Sequence, residues 1–296
     1  MMRSMMSAVT GLRAQQTAMD VIGNNIANVN TAGFRSSSTQ FEDLYYQTLN
    51  GGTAETNPSQ VGYGAQVSGV SKNMTSSGAT TTDNPWDLYI DGSGYFAVST
   101  NKNASSASYY TRVGNFTFDT SGYLVDASGN YVMGTSDNGA TMSPICLQGA
   151  NVSINGTTID SNVYKDLRDI TFNNDGSISA SYQSKPGKIQ IATTSGGTTT
   201  YSDLKVALAT FVNENGLAQA GNNDYESTES SGNPSYTVAL NGSTTKIRSN
   251  ALEMSNVDMA KEFTNMIVTQ RGYQANSRVI TVSDSMLDEL INLKRS

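Results

Sequence analysis

The feature that most constrains this chain is a heptad-like apolar seam at each end. Met2, Met5, Val9, Leu12, Gln16, Met19, Gly23 and Ile26 follow one another at alternating steps of 3 and 4, the spacing that keeps one helix face turned toward a helical partner. Met259, Phe263, Met266, Gln270, Tyr273, Ser277, Ile280, Asp284, Leu287 and Ile291 keep the same alternation at the carboxyl end. The spacing predicts a second helix from about Val257 to Leu293, roughly 55 Å long. Ser255 or Asn256 is expected to cap it, with Asp258 and Glu262 near its positive end and Lys294 and Arg295 near its negative end. Such seams are satisfied either by packing on each other within one chain or by assembly between chains. On the amino-terminal helix the other faces carry Ser, Thr, Gln and Asn more than charge, which suits a helix surrounded by neighbours.

Between the helices the period changes from helical to alternating. Asp87–Ile90, Tyr95–Val98, Phe116–Phe118, Tyr123–Val125, Tyr131–Met133, Lys188–Ala192 and Lys205–Phe211 read as strands. Turn pairs punctuate them: Asp91-Gly92, Ser121-Gly122, Ser128-Gly129, Asn155-Gly156, Asp175-Gly176, Asn215-Gly216 and Asn241-Gly242, where glycine is expected to supply a positive φ. The stretch Asn50 to Gly69 shows neither period and is expected to run extended. The resulting fold class is α+β: coiled-coil terminal helices packed together, with a central all-β domain. The expected division is an amino-terminal helix over 1–30, an extended linker over 31–71, a β-rich outer domain over 72–249 and a carboxyl-terminal helix over 250–296.

Composition narrows function by exclusion. The chain has no histidine, which removes the commonest general base near neutral pH and the commonest metal ligand, so no Ser-His-Asp or Cys-His site exists. Asp119 with Asp126, and Asp166 with Asp169, are the acid pairs open to catalysis or metal binding, but Asp119 and Asp126 each precede a turn whose backbone they can cap. Asn173-Asn174-Asp175-Gly176 lacks the closing Glu of a calcium loop. These absences predict no catalytic, cofactor or metal site. A net charge of -7 without a basic cluster argues against nucleic acid. No apolar run reaches the length of a membrane span, and the Met-rich start lacks the apolar region of a cleavable signal peptide. Cys146 is the only cysteine, so no intramolecular disulfide is possible, and it reads as a buried thiol. Tyr109, Tyr110, Tyr123 and Tyr131 would suit a sugar-binding platform, as in a secreted adhesin, but tyrosine is also an ordinary strand former.

The residues from Met19 through Gly23-Asn24-Asn25-Ile26-Ala27-Asn28-Val29-Asn30-Thr31-Ala32-Gly33-Phe34 to Arg35 resemble the amino-terminal signature of flagellar rod and hook proteins. Glu253-Met254-Ser255-Asn256-Val257-Asp258, followed by the run Met266 to Asn276 with its Gln270-Arg271-Gly272-Tyr273, resembles their carboxyl-terminal signature. Leu88 to Phe96 and Tyr110-Thr111-Arg112-Val113-Gly114-Asn115-Phe116 resemble the first part of the family's β-domain, and Phe211, Asn215-Gly216-Leu217 and Gly221 to Tyr225 its later part. In physical terms Asn24, Asn25, Asn28 and Asn30 can bond backbone where a helix ends, and Gly33 permits a sharp turn into Phe34.

The resemblance implies a tubular homopolymer. Terminal helices would line an inner tube through Met5, Val9, Leu12, Met19, Ile26, Met259, Phe263, Met266, Tyr273, Ile280 and Leu287, and the β-domain would form the outer wall. It also implies export, uncleaved, through the flagellar type III apparatus to an extracellular place in the hook or basal body. The implied partners are further copies of the chain, rod and hook-filament junction proteins, and a hook cap during assembly. Gly23-Asn24-Asn25-Ile26 and Glu253 to Asp258 point to a short subunit of the flexible, torque-transmitting hook, which is the expected function; Phe41-Glu42-Asp43-Leu44-Tyr45-Tyr46-Gln47-Thr48-Leu49 and the modest length point to the distal rod as the alternative.

Overall fold

The computed structural model describes residues 2–52, 57–137, 139, 141–154, 157–159, 164, 166–183, 185–195, 198–242 and 244–295, with backbone alone at 150–151, 193–195, 198–200 and 294–295. The chain is α+β, with a helix at each end and a β-rich centre. It divides into two compact units. The first comprises residues 1–30, 35–74 and 256–296, and the second residues 31–34 and 75–255.

In the first unit, helix α1 spans Met2–Ala27 and helix α2 spans Met259–Arg295, and the two pack on each other. A Cβ at Gly11 would lie 2.6 Å from Asn276 Nδ2, and one at Gly272 would lie 3.1 Å from Gln15 Nε2. Those two contacts make the helices antiparallel and bring them close at small side chains. Extending the register places Met2 roughly level with residue 285, so about ten residues of α2 continue past the start of α1. The cap of α2 is neither Ser255 nor Asn256. Asp258 Oδ1 accepts from the Ala260 and Lys261 amides at 3.0 and 3.3 Å, because the helix begins at Met259, later than either candidate requires.

The segment expected to run extended without strand character is built from paired strands. Ser37–Asp43 pairs antiparallel with Ala65–Lys72, and Tyr46–Asn50 pairs antiparallel with Ser59–Gly62. These are two-stranded ladders with no fully buried residue, so neither face imposes the apolar alternation that marks a strand in sequence.

The second unit carries the larger core. Leu88–Asp91 and Tyr95–Ser99 contribute Leu88, Ile90, Phe96 and Val98, which pack with Phe116, Leu124, Val132, Ile145 and Leu208. Among the described residues one sheet runs in the order Ala218–Gly221, Asp224–Glu226, Tyr109–Thr111, Tyr95–Ser99, Tyr131–Thr135, Leu124–Val125, Thr117–Phe118. Another orders Thr157–Ile159, Gly149–Ile154, Lys185–Ser195, Ile178–Tyr182 and Arg168–Phe172. Neighbours in both are antiparallel, some joined by short hairpins and others paired across long intervening segments.

The predicted strands are present with shifted ends, and Lys205–Phe211 is broken into Lys205–Val206 and Leu208–Thr210. Gly92, Gly122, Gly129, Gly176 and Gly242 have the positive φ their turns require. Gly216 does not. It lies in a 3-10 turn over Glu214–Gly216, and glycine is needed there because a Cβ would fall 2.7 Å from the backbone of Ser230 and Ser231. Asn155-Gly156 lies outside the described residues.

Candidate assembly surface

Helix α1 buries Ala8, Ala14, Ala18, Ile22 and Asn25. Ala8, Ala18, Ile22 and Asn25 each lie one residue before the seam positions Val9, Met19, Gly23 and Ile26, a rotation of about 100° around the helix. Small side chains occupy the packed face because close helix approach leaves no room for larger ones. The seam residues sit at its margin: Met5, Leu12, Met19 and Ile26 are half-buried and Val9 is exposed. Met2 and Met6, 70% and 60% exposed, extend the uncovered apolar surface to the helix start.

Helix α2 behaves similarly. Glu262, Thr269 and Ser283 are its buried residues, and Met266, Ile280 and Leu287 are half-buried beside them. Met259, Phe263 and Tyr273 from the predicted seam are exposed. A further apolar stripe comes from Val279, Val282, Met286, Leu290 and Leu293, all exposed and spaced by 3 or 4. Sequence reasoning missed it because the stripe runs parallel to the seam it followed. Inside the first unit, Val21, Ile22, Phe41 and Val268 also line an open groove of about 270 Å³.

The signature asparagines take distinct positions. Asn25 is buried, donates from Nδ2 to Ser37 O at 2.8 Å and accepts from the Ser37 amide at 3.0 Å. Asn256 Oδ1 accepts from the Ser36 amide at 2.7 Å, and its Nδ2 donates to Asn73 O at 2.9 Å. Asn28 bonds back to Asn24 within the last turn of α1, while Asn24 and Asn30 are exposed. Gln270 and Arg271 are exposed on α2.

In the second unit, Gly33 has φ +68° and its amide donates to Glu253 O at 2.9 Å, with Thr31 half-buried and Phe34 buried around the turn. The Glu253 carboxylate, fully buried, faces Arg112 at 3.3 Å and accepts from the Ser77 amide at 3.0 Å. Arg112 donates to Gly92 O and lies over the Tyr95 ring. Ser255 offers its carbonyl to Ser77 Oγ. The central and carboxyl-terminal motifs therefore meet in a buried ion pair, which sequence spacing alone does not reveal.

The residues weighed for chemistry serve the fold. Asp126 accepts from the Ser128 and Asn130 amides, and Asp119 from the Thr120 amide, so both close their own turns. Asp175 binds Ser177 and faces Lys188. Burial and the nearby Asp126 raise Asp224 to about 6. Tyr110 is buried edge-on to Phe211, and Tyr123 and Tyr131 pack edge-on to each other. Cys146, expected to be buried, is half-exposed, its thiol donating to Gln148 O at 2.9 Å in a loop after the core residue Ile145. Among the described residues no three acidic or cysteine side chains converge as a metal site. No described helix is long and apolar enough to cross a membrane.

Three family descriptions match the chain. "Flagella basal body rod protein" covers residues 5–35, "Flagellar hook protein FlgE/F/G D1 domain" covers 89–180, and "Flagellar basal body rod FlgEFG protein C-terminal" covers 248–293. A flagellar basal-body rod protein FlgG of Bacillus subtilis is 38% identical over the whole of both chains. The FlgG of Buchnera aphidicola from Schizaphis graminum is 35% identical over 99% of this chain and all of its own. A flagellar hook protein FlgE of Borreliella burgdorferi is 28% identical over 99% of this chain and all of its own, through an alignment of 446 positions. The chain belongs to the flagellar rod and hook family of axial structural proteins.

Proposed function

We propose that this chain polymerises into the flagellar axial tube as a rod subunit, its terminal helices forming the inner contacts between copies. The observation that carries the reading is the burial pattern of the helices: each packs a narrow face of mostly small or polar residues, and large apolar side chains stay exposed, at Met2, Met6 and Val9 near the start of α1 and along most of α2. Uncovered area of this kind is what a heterologous, non-closing contact between copies consumes. Met5, Val9, Leu12, Met19, Ile26, Met259, Phe263, Met266, Tyr273, Ile280 and Leu287 then act in assembly, and the 75–255 region forms the outer wall. The work is mechanical, without a catalytic step, in keeping with a chain that has no histidine.

The full-length match to rod proteins supports the rod over a longer subunit. The hook reading rests on the hook relative, whose likeness also spans nearly all of this chain. In either place the partners are further copies, adjoining rod or hook-filament junction proteins, a cap, and the type III export apparatus, and the assembled protein lies beyond the cytoplasm. Electron microscopy of the purified, concentrated chain tests the reading. Straight tubes are expected for a rod and curved ones for a hook. M6E with L290E should leave the monomer folded and abolish both; tubes formed by that variant would refute the role of these helix faces.

A further inference from the structure

The two side-chain amides at the start of the first strand form a clamp. Ser36 and Ser37 direct their backbone groups to opposite edges, as successive residues of a strand do. On one edge Ser36 O accepts from the Asn73 amide at 2.9 Å, and the amide of Asn256 continues that ladder: Oδ1 takes the Ser36 N–H and Nδ2 gives to Asn73 O. On the other edge the amide of Asn25 pairs with both backbone groups of Ser37. Asn25, carried by the last turn of α1, thus stands in for a peptide group of a missing neighbouring strand, whereas Asn256, carried by the lead into α2, is inserted between Ser36 N and Asn73 O at the end of the existing ladder.

We propose that Asn25 and Asn256 are positioning residues for assembly, fixing the first strand against both terminal helices and so setting the geometry of the polymer. The inference rests on the axial-tube reading above. Two observations set these residues apart from general stabilisers. Asn25 is buried on a helix face otherwise made of Ala and Ile, where an apolar residue would pack without needing a partner. Ser36, Asn73 and Asn256 also each lie within two residues of a point where the chain passes between its two units, so one cluster holds three of those four passages on the first unit's side. Asp in place of Asn keeps the acceptor and loses the donor.

The test compares wild type, N25D, N256D and the exposed control N24D as full chains. Readouts are helix content and amide exchange in the monomer, and helical parameters of tubes by electron microscopy. The expected result is unchanged helix content in all four. Because the carboxylate still accepts from the Ser37 and Ser36 amides, exchange at those two amides should stay close to wild type, while loss of the donors to Ser37 O and Asn73 O leaves tubes absent or altered in twist in N25D and N256D only. Tubes of wild-type parameters from N25D and N256D would overturn the proposal. Loss of the monomer fold in both would also overturn it, since the asparagines would then be general stability residues. Failure of wild type itself to form tubes would overturn the axial-tube reading and this inference with it.

Discussion

At the residue scale, the motifs encode close approaches and one buried charge pair. A Cβ on Gly114 would sit 1.8 Å from Leu88 O, and the Gly114 carbonyl accepts from the Leu88 amide at 2.9 Å, so no side-chain motion relieves the clash. Gly114→Ala should cost about 3 kcal/mol in denaturant unfolding of the monomer. Arg112→Met should cost a similar amount, about 3 kcal/mol, because it leaves Glu253 buried opposite no cation. Asp224 gives a pH signature. Its folded-state value of about 6 lies above that of the unfolded chain, so the native state holds the extra proton and stability from this group falls as pH rises from about 4 to 6. Asp224→Asn should flatten that part of the melting-temperature profile and raise stability at neutral pH. A profile unchanged by the substitution would show that Asp224 ionises normally.

At the scale of elements, the helices separate internal packing from assembly. Ala18 lies on the packed face of α1, so Ala18→Leu should overfill it and cost about 1–3 kcal/mol in the helical transition. Met6 lies on the uncovered face, and Met6→Gln should change monomer stability by less than about 0.5 kcal/mol while weakening polymerisation. Circular dichroism and sedimentation distinguish the two outcomes. The heptad spacing identified both helices but not which stripe each would bury. Seven-residue spacing admits several adjacent faces, and the choice depends on how closely the partner approaches. The paired strands of 37–72 escaped detection for a related reason: a ladder exposed on both faces carries no apolar alternation.

For the whole molecule, the two units differ in what they bury. The first packs α1 largely through Ala and Ile side chains against an α2 whose buried residues are Glu262, Thr269 and Ser283, whereas the second encloses a continuous core of Leu, Ile, Val and Phe. Apolar area stabilises at roughly 25 cal/mol per Å², so the helical signal of the monomer should melt below the aromatic near-ultraviolet signal of the β-core. Polymerisation should raise the helical transition, since only the folded form binds neighbours. Coincident transitions in monomer and polymer would contradict this division. The sequence by itself determined the α+β class, the terminal helices, most strands and turns of the centre and the family, because periodicity, glycine placement and motif order are local properties of the chain. Tertiary structure alone decided which helix faces are packed, that Arg112 meets Glu253, and that Asn25 and Asn256 grip the same strand. Those outcomes depend on groups distant in sequence arriving within hydrogen-bonding distance, and no local pattern records that arrival.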